Sequence, residues 1–198
     1  MKKKSIAIIL ICFFVTGCHN ETVQEEEVLS IYNEFLANVQ ELFAYHTYDE
    51  NVYYNEKYHS KDEIRSLLGQ YMTEEGMDQL LNDLYVQENE RFVYQEEFQS
   101  YLKGNDHEGF SYYEITKKTV FNPGLRMMMG DDLHIYESDG KIRMEAERVP
   151  VQFYSEDSMY GQSQFGELGY PSVDYLTLDI SFVKEKDQYR IKRVDVTS

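Results

Sequence analysis

Residues 133–149 read LHIYESDGKIRMEAERV, a pattern that indicates the sheet part of the fold. Two runs of largely alternating apolar and polar residues, Leu133–Glu137 and Ile142–Val149, flank Ser138-Asp139-Gly140. Alternation with a period of two is typical of a half-buried strand, and Asp-Gly between two such runs is a strong signal for a tight turn. The stretch therefore predicts an antiparallel β-hairpin in the C-terminal half of the chain.

Further strands are predicted on both sides of this hairpin. Downstream, Asp174–Val183 and Gln188–Val196 have the alternation and the branched and aromatic residues of two more strands. Upstream, apolar residues recur at a spacing close to two in Arg91–Gln95 and in Tyr112–Val120. This spacing predicts a strand in each segment. The polar, glycine-containing residues 155–171 form the longest predicted loop.

The N-terminal half has the periodicity of helices instead. Apolar residues at spacings of three and four predict an amphipathic helix from about Glu25 to about Tyr45. Ser60-Lys61-Asp62-Glu63 has the pattern of a capping box and predicts the start of a second helix. Thr73, followed by two acids, predicts the start of a third. The expected buried faces contain, in chain order, Val28, Tyr32, Phe35, Val39 and Leu42, then Ile64, Leu67, Leu68 and Tyr71, then Met77, Leu80, Leu81 and Leu84.

The order of these elements indicates the fold class. Helices first and an antiparallel meander afterwards predict an α+β fold, with N-terminal helices packed on one face of a curved antiparallel sheet. No internal repeat and no proline-rich or glycine-rich linker divides residues 28–198, so we expect a single α+β domain over that range. The order resembles the cystatin-like and nuclear-transport-factor-2-like (NTF2-like) group of folds, which includes enzymes, binding modules and inhibitors.

The first 17 residues have the composition of a targeting segment. Three lysines, Lys2–Lys4, precede the apolar run Ile6–Val15, which is too short to span a membrane. The run ends in Val15-Thr16-Gly17-Cys18, which resembles the lipobox of bacterial lipoproteins. This resemblance implies that residues 1–17 are a lipoprotein signal peptide, that cleavage makes Cys18 the N-terminus, and that Cys18 is diacylglycerated. The alternative is an ordinary signal peptide in which Cys18 is incidental.

A lipid-modified Cys18 would place the protein on the extracytoplasmic face of the cell membrane, with the bilayer as its partner. Two acyl chains are enough for stable anchoring. The polar residues 18–27, which include four glutamates, are expected to form a short solvated tether. Because Cys12 leaves with the signal peptide and Cys18 carries lipid, the mature chain has no thiol for a catalytic nucleophile, a metal ligand or a disulfide.

The charge of the chain narrows the choice of partners. Its 198 residues contain 19 lysines and arginines against 36 aspartates and glutamates, a formal charge of -17. Loss of Lys2–Lys4 with the signal peptide leaves 16 basic residues and a charge of -20. Phosphates would be repelled, so we expect the domain to bind neither nucleic acid nor an anionic membrane surface.

The sequence contains no catalytic or cofactor-binding motif. The histidines lack metal-binding spacing, and neither a nucleophile elbow nor a glycine-rich phosphate loop occurs, so we expect a protein that is not an enzyme and uses no cofactor or metal. Glu145 and Glu147 alternate on a predicted strand about 7 Å apart, which would suit inverting glycoside hydrolysis if one of them were desolvated. The alternative is an outward-facing acidic stripe.

Tyrosines are concentrated between the first and second predicted helices. Residues 46–59, which are predicted to form a loop or an irregular segment, include Tyr53 and Tyr54. Tyrosine rings provide a large contact area at low entropic cost, so Tyr53 and Tyr54 are candidate partner-contact residues. The alternative is that these rings pack the helix onto the sheet.

A narrower resemblance begins at Ser60–Ile64. Together with Leu67-Leu68, Tyr71–Thr73, Met77 and Leu80-Leu81, this segment looks like the helical half of a group of Gram-positive secreted proteins. The group includes uncharacterised lipoproteins and the inhibitor of cell-separation DL-endopeptidases. The resemblance implies an envelope protein that binds and occludes a peptidoglycan hydrolase. The competing function class is a small-ligand receptor or enzyme that uses the concave face of the sheet.

Overall fold

The computed structural model describes residues 18–104 and 111–198. The predicted signal peptide, residues 1–17, therefore lies outside the described residues, as do residues 105–110. Within the described part of the chain, no helix is both long enough and apolar enough to cross a membrane.

The helices lie mainly in the first part of the described chain. They are α1 (Cys18–Val39), α2 (Lys61–Leu68), α3 (Glu74–Leu84), α4 (Glu96–Leu102), α5 (Tyr112–Thr116) and the single turn α6 (Met159–Gly161). The capping box of α2 is confirmed, because the Ser60 hydroxyl accepts from the Glu63 amide and the Glu63 carboxylate accepts from the Ser60 amide. At α3 the Thr73 hydroxyl accepts from the amide of Gly76. These side chains satisfy amides that a helix N-terminus leaves without partners.

A four-stranded antiparallel sheet forms from the C-terminal part of the chain. Its strands, in spatial order, are β5 (His134–Ser138), β6 (Lys141–Gln152), β7 (Val173–Glu185) and β8 (Gln188–Thr197). The hairpin predicted at Asp139-Gly140 is confirmed, and both turn residues have the positive φ that such a turn needs. The two predicted terminal strands are also confirmed. Register shifts after Ala146 and Ser181 mark bulges, which bend strands.

Two smaller hairpins connect the helices. Their strands, paired in chain order, are β1 (His46–Asp49) with β2 (Val52–Asn55), and β3 (Tyr85–Glu88) with β4 (Arg91–Tyr94). The strand predicted from Arg91 is confirmed, whereas the loop predicted over residues 46–59 is wrong because most of this segment is the first hairpin. Glu50 and Asn51 both have positive φ, which gives the turn geometry that a two-residue hairpin requires.

The stretch after Ser111 is helical, so the strand predicted at Tyr112–Val120 is wrong. The Ser111 hydroxyl accepts from the amide of Glu114 and caps α5. Tyr113 and Ile115 are both buried on this short helix. They alternate with less apolar residues, and this alternation resembles the pattern of a strand.

Helix α1 begins at Cys18, before the predicted start at Glu25. Residues 18–27, for which the sequence predicts a tether, are therefore part of the helix. Glutamate and glutamine are good helix formers, so a polar run of them extends a helix as readily as it forms a linker. The predicted buried stripe of α1 is confirmed, with Val28 and Tyr32 at most 2% exposed.

Helices α1 and α3 pack on one face of the sheet, which confirms the predicted α+β fold class. Alternate residues of the central strands, such as Ile180 and Phe182, point into this interface and are fully buried. Helix α3 lies against β8, where Gly76 approaches the main chain of Ile191. Ile191 also exchanges backbone hydrogen bonds with residues 71–73, which cover this edge of the sheet. The opposite face of the sheet carries polar side chains.

Candidate functional site

Cys18, the predicted lipidation site, is the first residue of α1. The helix continues from it to Val39, and among its residues 24–39, whose burial is described, Val28 is the first to be fully buried in the core. An acyl group on Cys18 would therefore be joined to the domain by a helix rather than by an extended linker.

Tyr53, the first predicted partner-contact residue, is half-buried in β2. Its amide donates to the side-chain oxygen of Gln99 at 2.7 Å, and its carbonyl accepts from the side-chain nitrogen of Gln99 at 2.6 Å. Gln99 is 4% exposed, so this pair of hydrogen bonds fixes the β1–β2 hairpin on α4. The Tyr53 ring lies 4.8 Å from the Tyr48 ring and packs against the core.

Tyr54, the second predicted contact residue, is also half-buried. The guanidinium of Arg91 lies 4.7 Å from the centre of its ring, within cation–π range. Arg91 pairs in addition with Asp49 at 3.0 Å and with Glu50 at 2.8 Å. Tyr53 and Tyr54 thus both have partners within the chain, and their contact with another protein stays a prediction.

A larger group of exposed apolar side chains lies in the connection between β6 and β7 and at the start of β7. Of the twelve large hydrophobic residues exposed in the described part of the chain, six fall between residues 159 and 175. Met159 is 85% exposed and Tyr160 is 74% exposed. The other members of what we term the 159–175 surface are Phe165, Leu168, Val173 and Tyr175.

The 159–175 surface rests on ordered contacts beneath it. The ring of Phe165 stacks on that of Tyr154 with centroids 6.4 Å apart, and the Tyr154 hydroxyl donates to the carbonyl of Tyr170 at 3.2 Å. A Cβ atom at Gly161 would lie 2.5 Å from the Cβ of Tyr154, so the helical turn packs tightly there. Part of the long loop predicted at residues 155–171 is therefore helical, and its shape is fixed by aromatic packing.

The charged residues of this segment are all acidic. Residues 155–175 contain no lysine or arginine, and Glu156 and Glu167 are exposed. One arginine approaches from β6: the guanidinium of Arg148 lies 5.4 Å from the centre of the Tyr175 ring. Apolar anchors in an acidic setting suit a partner surface with an apolar centre and a basic rim.

The face of the sheet that turns away from the helices carries two rows of polar side chains. The arginine row crosses the strands as Tyr136, Arg143, Ser181 and Arg193. The neighbouring carboxylate row consists of His134, Glu145, Asp179 and Asp195.

Ion pairs join the two rows. Arg143 lies 3.2 Å from Glu145 and also pairs with Asp179, whose charge raises the pKa of Arg143. Arg193 pairs with Asp195 at 3.0 Å. The arginines thus compensate carboxylates that would repel one another across neighbouring strands.

An open depression of about 390 Å³ lies on this face beside the β5–β6 turn. Its lining residues are Ser138, Asp139, Lys141, Arg143, Asp179, Ser181, Arg193 and Asp195.

Glu145 and Glu147, the two carboxylates considered for glycoside hydrolysis, do not line this depression. Glu145 accepts from the Tyr136 hydroxyl at 2.6 Å, and Glu147 is exposed next to a bulge. Among the described residues, no cluster of three or more histidine, cysteine or acidic side chains is placed to hold a metal ion.

The chain matches no protein-family model and no curated protein. Sequence reasoning missed the 159–175 surface, because the polar and glycine-containing residues 155–171 predicted only a loop. The available signal was the presence of Met159, Tyr160 and Phe165 in a stretch without any basic residue.

Proposed function

We propose that this protein is a lipid-anchored extracytoplasmic binding protein whose 159–175 surface contacts another protein of the bacterial envelope. The observation that carries the proposal is the concentration of six exposed apolar side chains in one acidic segment. Large exposed apolar patches are typical of interaction sites, and six exposed apolar residues within 17 positions favour such a patch. The lipobox-like Val15–Cys18 supports a location on the outer face of the cell membrane.

The most specific form of the proposal is modulation of a peptidoglycan hydrolase. The resemblance of the helical half to the inhibitor of cell-separation DL-endopeptidases supports this choice of partner. A hydrolase bound at the 159–175 surface would have its substrate groove covered by an anionic domain. In this role the protein itself performs no hydrolysis and uses no cofactor, and nucleic acid takes no part.

Charge and apolar contact would act at different stages of binding. The charge of -20 that remains after removal of the signal peptide attracts a cationic partner and increases the association rate. Met159 and Tyr160 would then be desolvated in the interface, which would slow the dissociation of the partner. Tyr53 and Tyr54 are the second candidate contact, although both rings are half-buried.

The anchor would hold the domain close to the bilayer. Between Cys18 and Val28, which is fully buried in the core, α1 rises by about 15 Å at 1.5 Å per residue. Anionic headgroups would repel the acidic domain and keep it from lying flat on the membrane. The 159–175 surface would thus remain accessible to a partner in the envelope.

Matched variants test the assignment of this surface. The mature chain, residues 18–198 with Cys18→Ser, is titrated onto immobilised DL-endopeptidases of the source organism. We expect Met159→Ala and Tyr160→Ala each to weaken binding by about tenfold or more, as for other central interface residues. Met129→Ala is the control, because Met129 is 75% exposed and lies outside the surface. Equal effects of Met159→Ala and Met129→Ala would contradict the assignment.

A second candidate function is that of a small-ligand receptor. The depression beside the β5–β6 turn favours it, because lysine, arginine, aspartate and serine side chains surround a volume of about 390 Å³. Small-ligand sites combine such a concavity with a few converging polar groups. Saturable binding of a small molecule, together with no binding to any hydrolase, would favour this function.

A further inference from the structure

The depression on the polar face of the sheet has a charge pattern unlike that of the whole chain. Its three cations are Lys141, Arg143 and Arg193, and its three carboxylates are Asp139, Asp179 and Asp195. The depression is therefore formally neutral in a chain whose charge is -17. Arg143 and Arg193 lie in the arginine row and Asp179 and Asp195 in the carboxylate row, whereas Lys141 and Asp139 lie at the β5–β6 turn. The two rows together complement a ligand that carries one charge of each sign.

Some of the lining groups are free to bind such a ligand. Lys141 is exposed, and none of the described residues forms an ion pair with it. Ser181 lies between Arg143 and Arg193 in the arginine row, and its hydroxyl has no hydrogen-bond partner in the described part of the chain. A carboxylate placed over Ser181 would meet a hydroxyl donor and nearby cations, which are strong partners for an ionised group.

The spacing of the two rows matches the length of a short peptide. Ser181 and Asp179 alternate on β7, so their side chains lie about 6.8 Å apart on the same face. An extended dipeptide spans at most about 7 Å. A terminal carboxylate over Ser181 would therefore bring the terminal ammonium over Asp179, which pairs with Arg143 and lies between Glu145 and Asp195 in the carboxylate row.

We propose that this depression binds a zwitterionic short peptide with free termini. Lys141 and Ser181 receive the carboxylate, and Asp179 receives the ammonium group. The site lies on the four-stranded sheet and uses none of the residues of the 159–175 surface, so its occupation is independent of the proposed binding to an envelope protein.

Calorimetric titration of the mature chain with Cys18→Ser tests the charge requirement. The probe is alanylalanine, and the two matched ligands are its N-acetyl derivative, which lacks the ammonium group, and its C-terminal amide, which lacks the carboxylate. We expect alanylalanine to bind with a Kd below about 1 mM and each capped ligand to bind about tenfold more weakly. No saturable binding of alanylalanine, or equal binding of a capped ligand, would overturn the proposal.

A pair of lysine variants locates the site. Lys141→Met removes the unpaired cation and is expected to weaken alanylalanine binding by about tenfold. Lys118→Met is the control, because Lys118 is also exposed but does not line the depression. The free energy of unfolding of both variants shows that each is folded. Unchanged binding by Lys141→Met, or equal losses in the two variants, would overturn the placement of the carboxylate.

Discussion

Gly76 of α3 lies directly against the carbonyl group of Ile191 in β8. A Cβ atom at position 76 would lie 2.8 Å from this oxygen and 2.7 Å from the carbonyl oxygen of Lys192. Both oxygens belong to the main chain of a paired strand, so they cannot move aside as the end of a long side chain would. Helix α3 approaches the strand this closely because residue 76 has no side chain.

Gly76→Ala is therefore expected to lower the free energy of unfolding by about 1–3 kcal/mol, although alanine is the better helix former. Urea denaturation of the mature chain measures this change. Gly130→Ala is the control, because an added Cβ there has no atom within 4 Å and should change stability by about 0.5 kcal/mol or less. A Gly76→Ala variant as stable as the unmodified chain would show that α3 does not pack on β8 in this way.

The buried face of α3 supplies the second prediction. Leu80 and Leu81 are 5% and 3% exposed, so replacing either by alanine should lower the free energy of unfolding by about 2–5 kcal/mol. Gln79 is only half-buried, and Gln79→Ala should cost about 0.5 kcal/mol or less. The same denaturation experiment compares the three variants. Similar losses at Leu81 and Gln79 would mean that the helix is rotated relative to the sheet.

Alkaline pH should destabilise the protein through its buried tyrosines. Burial raises the pKa of Tyr32, Tyr85 and Tyr94 above the ordinary value of 10.0, so these phenols stay neutral in the folded chain when they ionise in the unfolded one. Their contribution to stability is complete below about pH 10 and is lost as the pH rises further, at about 1.4 kcal/mol per pH unit for each group. Denaturation at pH 9, 10 and 11 measures the slope, which Tyr94→Phe should reduce. A free energy of unfolding that stays constant over this range would contradict the burial of these hydroxyls.

The lipid anchor is tested by two cysteine variants. Cys18→Ala should abolish labelling by a palmitate analogue and leave precursor or released protein, because the mature chain has no other thiol. Cys12→Ala is the matched control and should be labelled normally, since Cys12 lies within the predicted signal peptide. Labelling of Cys18→Ala at the level of the unmodified protein would contradict the lipoprotein assignment.

Much of the fold could be predicted because its signals are local. Three of these signals depend only on residues that are close in sequence. They are the Ser60 capping box, the Asp139-Gly140 turn and the buried stripe that begins at Val28. The β1–β2 hairpin could not be predicted in this way. Its main chain is held by Gln99, and the fully buried Asn55 donates to the carbonyls of Glu41 and Leu42. Such long-range side-chain hydrogen bonds produce no periodic pattern in the sequence.

The candidate site was less predictable than the fold. The local abundance of tyrosine predicted Tyr53 and Tyr54 as contact residues. Composition does not distinguish a ring that packs against Arg91 from one that faces solvent. Exposure of Met159 and Tyr160 depends on how the β6–β7 connection folds over Tyr154. That arrangement follows from tertiary packing, which the local pattern of residues 155–171 does not encode.

Peptidoglycan digestion by the DL-endopeptidases of the source organism shows whether the protein modulates a hydrolase. The mature chain with Cys18→Ser is added in increasing amounts, and binding kinetics are recorded at low and moderate salt. We predict no hydrolysis by the protein alone and a dose-dependent slowing of digestion. Salt should act mainly on association, because exposed charges are screened over about 8 Å at physiological ionic strength, whereas Tyr160→Ala should speed dissociation. Undiminished digestion at the highest protein concentration, with no binding to any of these enzymes, would contradict the account.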